Sequence, residues 1–147
     1  MKKRDLKVVG RREVIDLPEL DLFGIDAKID TGAYSSAIHC HDINMFLSDK
    51  KKFVEFYLLD PTHPDYNDKK IILPVLKERR IKNSFGKSQK RFIIKTTIIL
   101  HGESIPVECS LADRSNLEYP ILLGRKVLKN RFLVDVSRVN LSLKSKK

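Results

Sequence analysis

The stretch "AKIDTGAYSSAIHC", Ala27 to Cys40, decides how this chain is read. An alternating apolar run, "FGIDAKI", ends at Asp30, and the small residues Thr31, Gly32 and Ala33 follow it. Such alternation suits a half-buried strand, because successive side chains point to opposite faces. Gly32 is read as the residue that frees the turn from backbone limits a larger side chain would impose. An aspartate placed there can be held rigidly, with its carboxylate within reach of backbone N–H groups. An ordinary Asp-x-Gly turn closing a strand would satisfy the same residues.

The sequence on either side reads as mainly β. Apolar and β-branched runs recur as "REVIDL", "SAIHCHDI", "KFVEFYLLD", "KIILPVLKERRIK", "RFIIKTTIILHG", "ESIPVECSLAD" and "FLVDVSRVNLSL". Pro, Gly, Asp and Asn punctuate them, which is the pattern of short strands joined by turns. "DPTHPDYNDKK" is the longest connection, and "NSFGKS" and "LHGES" read as hairpin turns. One helix is expected, within "YPILLGRKVLKNRF", where Leu123, Val127 and Leu128 recur at helical spacing. The predicted architecture is a small closed β-barrel with one short C-terminal helix. It forms a single domain over residues 1–147, with about 1–10 and 143–147 frayed.

A length of 147 residues and 41% hydrophobic content suit one domain with a true core and argue against disorder. No apolar run approaches the roughly 20 residues that cross a bilayer. The basic start "MKKRDLKVVGRREV" is not followed by an apolar segment, so the cytoplasm is the expected compartment and no membrane partner is expected. Cys40 and Cys109 fit a reducing environment better than a disulfide scaffold. Twenty-nine Lys and Arg against nineteen Asp and Glu leave a net charge of +10. That surface attracts polyanions, or simply keeps the protein soluble.

A second segment gives the first its meaning. Asp-Thr-Gly-Ala after a strand, followed near the far end by "YPILLGRKVL" (Tyr119–Leu128), resembles the retroviral-type aspartic proteases. More closely, "IDTGAYSSAIHC", "RRIKNSFGKSQKRFIIKT" and "YPILLGRKVLKNRFLVD" resemble a bacterial and archaeal family labelled ATP-dependent zinc proteases and later described as retropepsin-like. Its members are often associated with ATP-grasp ligases that add glutamates to a ribosomal protein. The resemblance implies a retropepsin barrel with Asp30 as the catalytic residue and Thr31, Gly32 and Ala33 as its active-site loop. Leu122, Leu123, Gly124 and Arg125 would brace that loop from beneath.

Aspartic-protease chemistry needs two carboxylates that share a proton, one to activate water and one to polarise the scissile carbonyl. A chain with a single Asp-Thr-Gly cannot supply both. A homodimer does, because a two-fold axis sets Asp30 beside its mate. The resemblance gives Thr31 the task of locking the two loops together, and Gly32 that of letting substrate backbone come close. Ala33 lacks the hydroxyl that pepsin-like enzymes usually carry there, which predicts an activity optimum nearer neutral pH.

By the same resemblance the hairpin from Ile72 to Phe92 is the flap over bound peptide. Its tip is "NSFGKS", with Ser84, Phe85 and Gly86, and Arg80 and Lys82 are its candidate contacts to an acidic substrate. The hairpin carries Lys77, Arg79, Arg80, Lys82, Lys87, Lys90 and Arg91 against Glu78 alone. A lysine-rich edge hairpin also discourages edge-to-edge aggregation. The tip has one glycine where viral flaps have several.

The labels "ATP" and "zinc" find no support in the residues. There is no G-x-x-x-x-G-K-[ST] and no H-E-x-x-H. His39 and His41 share one side of a strand with Cys40 opposite, and could be joined by His63, His101 or Cys109. Such residues near strand ends are more often packed or exposed, so no metal or cofactor is assigned. The expected function is a dimeric aspartic endopeptidase acting on peptides, with acidic or glutamate-rich ones in view. The alternative is a non-catalytic β-barrel that binds acidic protein or nucleic acid. Nucleic acid is disfavoured, since no aromatic-interleaved platform is present.

Overall fold

In the computed structural model, which describes residues 6–82, 85–113 and 118–142, the chain forms eleven strands, one 3-10 turn at Pro18–Leu20 and one α-helical turn. The frayed ends expected at 1–5 and 143–147, and Ser84 of the hairpin tip, lie outside the described residues. The first strands are β1 (Lys7–Gly10), β2 (Arg12–Leu17), β3 (Leu22–Ile29) and β4 (Ser36–Ser48). They are followed by β5 (Lys51–Leu58), β6 (Ile71–Pro74), β7 (Lys77–Lys82) and β8 (Ser88–Leu100). The chain then runs through β9 (Glu103–Ala112), β10 (Ile121–Leu123), α1 (Arg125–Leu128) and β11 (Phe132–Asp135).

Hydrogen bonding runs in the order β10, β3, β2, β8, β9, β4, and β10 also pairs with β4, so these strands close into a ring. The ring is uneven. The seam between β2 and β8 rests on Asp16 opposite Ile99. Alternation turns Ile15, Ile25, Ile94, Ile98, Ile105 and Leu123 into its interior, where they join one hydrophobic cluster. Beyond the ring, β5 and β6 extend the sheet from β4, and β7 hangs from β8 as the outer arm of a hairpin. No helix among the described residues is long and apolar enough to cross a membrane.

The barrel and its short C-terminal helix are as expected; several boundaries are not. "KIILPVLKERRIK" was expected to be one strand and is two. Ile71–Pro74 pairs with β5, and only Lys77–Lys82 pairs with β8. The flap-like hairpin therefore starts at Lys77 rather than Ile72. The helix expected across "YPILLGRKVLKNRF" shrinks to one turn, because Ile121–Leu123 are drawn into the ring between β3 and β4. "FLVDVSRVNLSL" stops being a strand at Asp135, whose carboxylate accepts from Ser137 N–H at 3.0 Å and Ser137 Oγ at 2.6 Å. Such an aspartate turn competes with the strand ladder.

Lys7–Gly10, expected to fray, instead pairs in parallel with β11. Glu13 explains why the chain ends meet. Its carboxylate is fully buried and accepts three backbone N–H groups: Gly10 at 2.7 Å, Leu141 at 3.0 Å and Ser142 at 2.7 Å. A buried carboxylate needs such donors, since desolvating it unpaired is costly. Glu13→Ala should therefore strand those donors and lower stability by about 2–4 kcal/mol. Urea unfolding and hydrogen exchange at the Leu141 and Ser142 amides measure this. Unchanged midpoint and protection would mean that another contact holds the C-terminal segment.

Candidate active site

Asp30 sits where β3 leaves the ring. Its own N–H donates to Leu123 O at 2.9 Å, which continues the parallel β3–β10 ladder into the loop. Its Oδ1 accepts the Gly32 N–H at 2.9 Å, and Ala33 N–H returns to Asp30 O at 3.3 Å. The carboxylate is thus oriented by its own turn while its residue stays partly exposed. The freedom of backbone angle read for Gly32 is not used, since its φ lies outside the left-handed region. A Cβ there would lie 3.2 Å from Asp30 Oδ1, so its use lies in the missing side chain.

The brace expected from Leu122, Leu123, Gly124 and Arg125 is brought directly to this loop. Leu122 and Leu123 stand opposite Lys28 and Ile29 of β3, and Leu122 also stands opposite Ala37 of β4. Gly124 passes so close that a Cβ would meet Ser35 O at 2.5 Å, Tyr34 O at 2.7 Å and Ala33 O at 2.8 Å. Two of those carbonyls are used by the next residues: Arg125 N–H donates to Ala33 O at 2.8 Å and Lys126 N–H to Tyr34 O at 3.0 Å. Ser36 Oγ accepts the Gly124 N–H at 3.1 Å. The Arg125 guanidinium reaches over the top, donating to Thr31 O at 2.9 Å and lying 5.9 Å from the centre of the Tyr34 ring. An open cavity of about 460 Å³ next to this loop is lined by Thr31, Tyr34, Arg125, Leu128, Phe132 and Val134, among others.

The hairpin residues divide by face. Glu78 turns toward β5, where Lys52 lies at 3.3 Å, and it also meets Lys90 at 3.4 Å. These lysines, Lys52 first, hold its carboxyl below the usual range. Arg80 shares this side and donates to Ser88 Oγ at 3.4 Å. Lys77 and Arg79 occupy the other side, which shares a small hollow with Tyr34, Ser35 and Ser36. Of the expected tip residues, Phe85 is 87% exposed and Gly86 has a left-handed φ of 79° with nothing among the described residues near the place of a Cβ. The Lys82 side chain lies outside the described set.

The histidines and cysteines considered at sequence level are engaged elsewhere. Cys40 and Cys109 are buried thiols pushed up to about 12 by burial. His41 stacks on Tyr57 with ring centres 5.4 Å apart. Among the described residues no three His, Cys, Asp or Glu side chains converge as metal ligands. His39, buried, forms a contact that sequence reading missed: its Nε2 is 2.6 Å from Asp60 Oδ2. Asp60 sits in the long connection between β5 and β6, so only the fold reveals the pair.

The Asp30 loop and its Leu122–Arg125 brace are therefore brought together, and comparison with known proteins agrees. A family model described as "Retropepsin-like aspartic endopeptidase RimB" matches residues 8–145. This chain belongs to the RimB-like family. Among curated relatives, a protein of Parasynechococcus marenigrum named "Probable alpha-L-glutamate ligase" is 35% identical over 132 residues. One of Shewanella pealeana with the same name is 38% identical over 134 residues. These matches take in 87% and 88% of this chain but 28% of each relative, so the chain spans less than a third of those proteins. The crystal structure of Lpg0085, a Legionella pneumophila protein of unknown function, is similar in fold. Its TM-score is 0.75 at 22% identity, over 94% of this chain and 99% of that one.

Two outcomes follow from the geometry. Gly124→Ala should force the loop carbonyls apart and cost about 1–3 kcal/mol or more, read from urea unfolding. A variant as stable as the parent would show that the close approach is relaxed in solution. The second concerns acid. The Asp60 carboxyl is drawn from 3.8 to about 2, first by the Thr62 hydroxyl, then by His39, then by the Thr62 N–H. Because the folded value is depressed, the stabilisation is complete above about pH 4 and is lost as pH falls toward 2. In Asp60→Asn, unfolding followed from pH 6 to pH 2 should be less steep than in the parent. Parallel curves would remove Asp60 as a cause of acid sensitivity.

Proposed function

We propose that this chain is an aspartic endopeptidase that works in the cytoplasm as a homodimer, one Asp30 from each copy activating water. The observation that carries this reading is the Asp30 loop itself. It is a single partly exposed carboxylate, oriented by Gly32 N–H and braced by Leu123, Gly124 and Arg125 on a barrel of the RimB-like family. With two such carboxylates about 3 Å apart, both cannot ionise cheaply, so one proton is shared between them. The unprotonated oxygen takes a proton from water as it attacks. The protonated one donates to the carbonyl oxygen, and the proton later passes to the leaving amine. Thr31, which is exposed, would bond across the two-fold axis.

Acidic, glutamate-rich peptides are the proposed substrates. The net charge of +10 favours them. So does the name of the relatives, in which a segment like this chain is part of a much longer protein called a glutamate ligase. An enzyme that adds glutamates and a domain that reads them would act on the same material. The ligase name itself describes those whole proteins.

Cleavage of a glutamate-rich peptide, followed by mass spectrometry, tests the reading together with sedimentation of the free and peptide-bound protein. Asp30→Asn should lower kcat/KM by about 10³-fold or more while leaving fold and sedimentation unchanged. A wild-type chain that binds the peptide, never cleaves it and stays monomeric at all concentrations would point instead to a binding barrel.

A further inference from the structure

The outward side of β7, β8 and β9 adjoins the turn that follows the Asp30 loop. Register sets Lys95 opposite Glu108, and Ile93 between Lys77 and Ser110. Two hollows lie along this face, one of about 260 Å³ and one of about 20 Å³, sharing Ser36, Glu108 and Lys126 in their walls. The larger is flanked by Lys95 and Arg131, and the smaller by Lys77, Arg79 and Tyr34. Five cationic side chains thus surround one acid.

That acid shows what chemistry the place accepts. Glu108 Oε1 lies 2.9 Å from Lys77 Nζ, and Oε2 lies 3.0 Å from Lys126 Nζ. The two lysines, Lys77 first, hold its carboxyl below the ordinary range. One lysine comes from the hairpin and the other from α1, beside the Arg125 that bonds the Asp30 loop. The single carboxylate leaves charge to spare. Among the described residues Lys95 and Arg79 have no acidic partner, and the Arg131 guanidinium has none either, donating to Val127 O at 3.4 Å. On the opposite side of the hairpin Glu78 likewise meets two lysines, Lys52 and Lys90, but the arginine there, Arg80, already donates to Ser88 Oγ at 3.4 Å.

We propose that this groove is a subsite for an acidic side chain of the substrate, with Lys95, Arg131 and Arg79 as its receptors. Glu108 is the internal carboxylate that holds Lys77 and Lys126 until substrate arrives. It assigns the reading of acidic residues to the Lys77–Arg79 face of the hairpin and not to Arg80. The inference rests on the peptidase reading only in calling the bound peptide a substrate; the carboxylate site can be tested without turnover.

The experiment uses the full chain carrying Asp30→Asn, with a fluorescent hexaglutamate peptide and its hexaglutamine analogue, read by anisotropy at low and high salt. Lys95→Ala with Arg131→Ala should weaken hexaglutamate binding about five- to twentyfold, the scale of two partly exposed ion pairs. The difference should shrink at high salt, and hexaglutamine should be unaffected. Arg80→Ala should change little. Glu108→Gln should tighten hexaglutamate binding by freeing two lysines. Glu103→Gln is the control: it makes the same change in net charge at a carboxylate whose ion pair, with Lys7 at 3.4 Å, lies elsewhere.

Equal effects of the two glutamate variants, or a double variant that binds as the parent does, would overturn the subsite. So would an RNA oligonucleotide of matched charge competing as well as hexaglutamate, since the face would then be a general polyanion surface. The two readings fail separately. If the Asp30-bearing chain cleaves hexaglutamate and the groove variants cleave it equally well, the subsite falls and the peptidase stands. If nothing is cleaved but the groove variants lose binding, the peptidase reading falls and the carboxylate site stands.

Discussion

The approach of Gly124 to the carbonyls of Ala33, Tyr34 and Ser35 is the contact on which the candidate site depends. Only a residue without a Cβ can lie there, and its passage lets β10 slot between β3 and β4 and close the ring. The loop carbonyls then receive N–H groups from Arg125 and Lys126, and the Thr31 carbonyl receives the Arg125 guanidinium. These are backbone groups at a loop that would otherwise need water. Their satisfaction by a segment some ninety residues later in sequence fixes the loop before any substrate is present. Preorganisation of this kind is what charge-stabilising chemistry asks of a protein.

A second constraint works at the chain ends. Glu13 gathers Gly10, Leu141 and Ser142 around one buried carboxylate, while Gly10 itself packs against Arg138 O, where a Cβ would come within 2.2 Å. This holds β1 beside β11 and leaves Phe132 and Val134 lining the open cavity next to Thr31. The terminal strands and the Asp30 loop therefore share a side of the barrel. Any second copy brought to Asp30 must meet that surface.

The surface charge is arranged by strand alternation. On β7 Glu78 faces β5 and answers Lys52 and Lys90, while Lys77 and Arg79 face the turn after Asp30. A count of lysines along the hairpin cannot distinguish the two sides. Cross-strand neighbours can, because they decide which cations are already answered by an acid. The balance is local: one carboxylate serves Lys77 and Lys126, while Lys95 across the ladder keeps its charge for solvent or a ligand.

Local periodicity and short motifs account for the parts that one segment can specify alone. "REVIDL" is β2 as read, "LHGES" is a tight turn with His101 and Gly102 at positive φ, and the mainly β barrel follows from such runs. Asp30 and its brace were legible because their residue types are demanding: a small-residue turn after a strand, and a glycine where nothing larger fits. Tertiary structure alone decided which strand each apolar run would join. It split "KIILPVLKERRIK" between two partners, made a strand of "ILL" and drew Lys7–Gly10 out of an expected frayed end. It also brought together His39 with Asp60, Glu13 with Ser142, and Glu108 with Lys77 and Lys126. Period and turn chemistry act over a few residues, so one strand's sequence carries them. Pairing and burial belong to two segments at once, and their partners are set only when the ring closes.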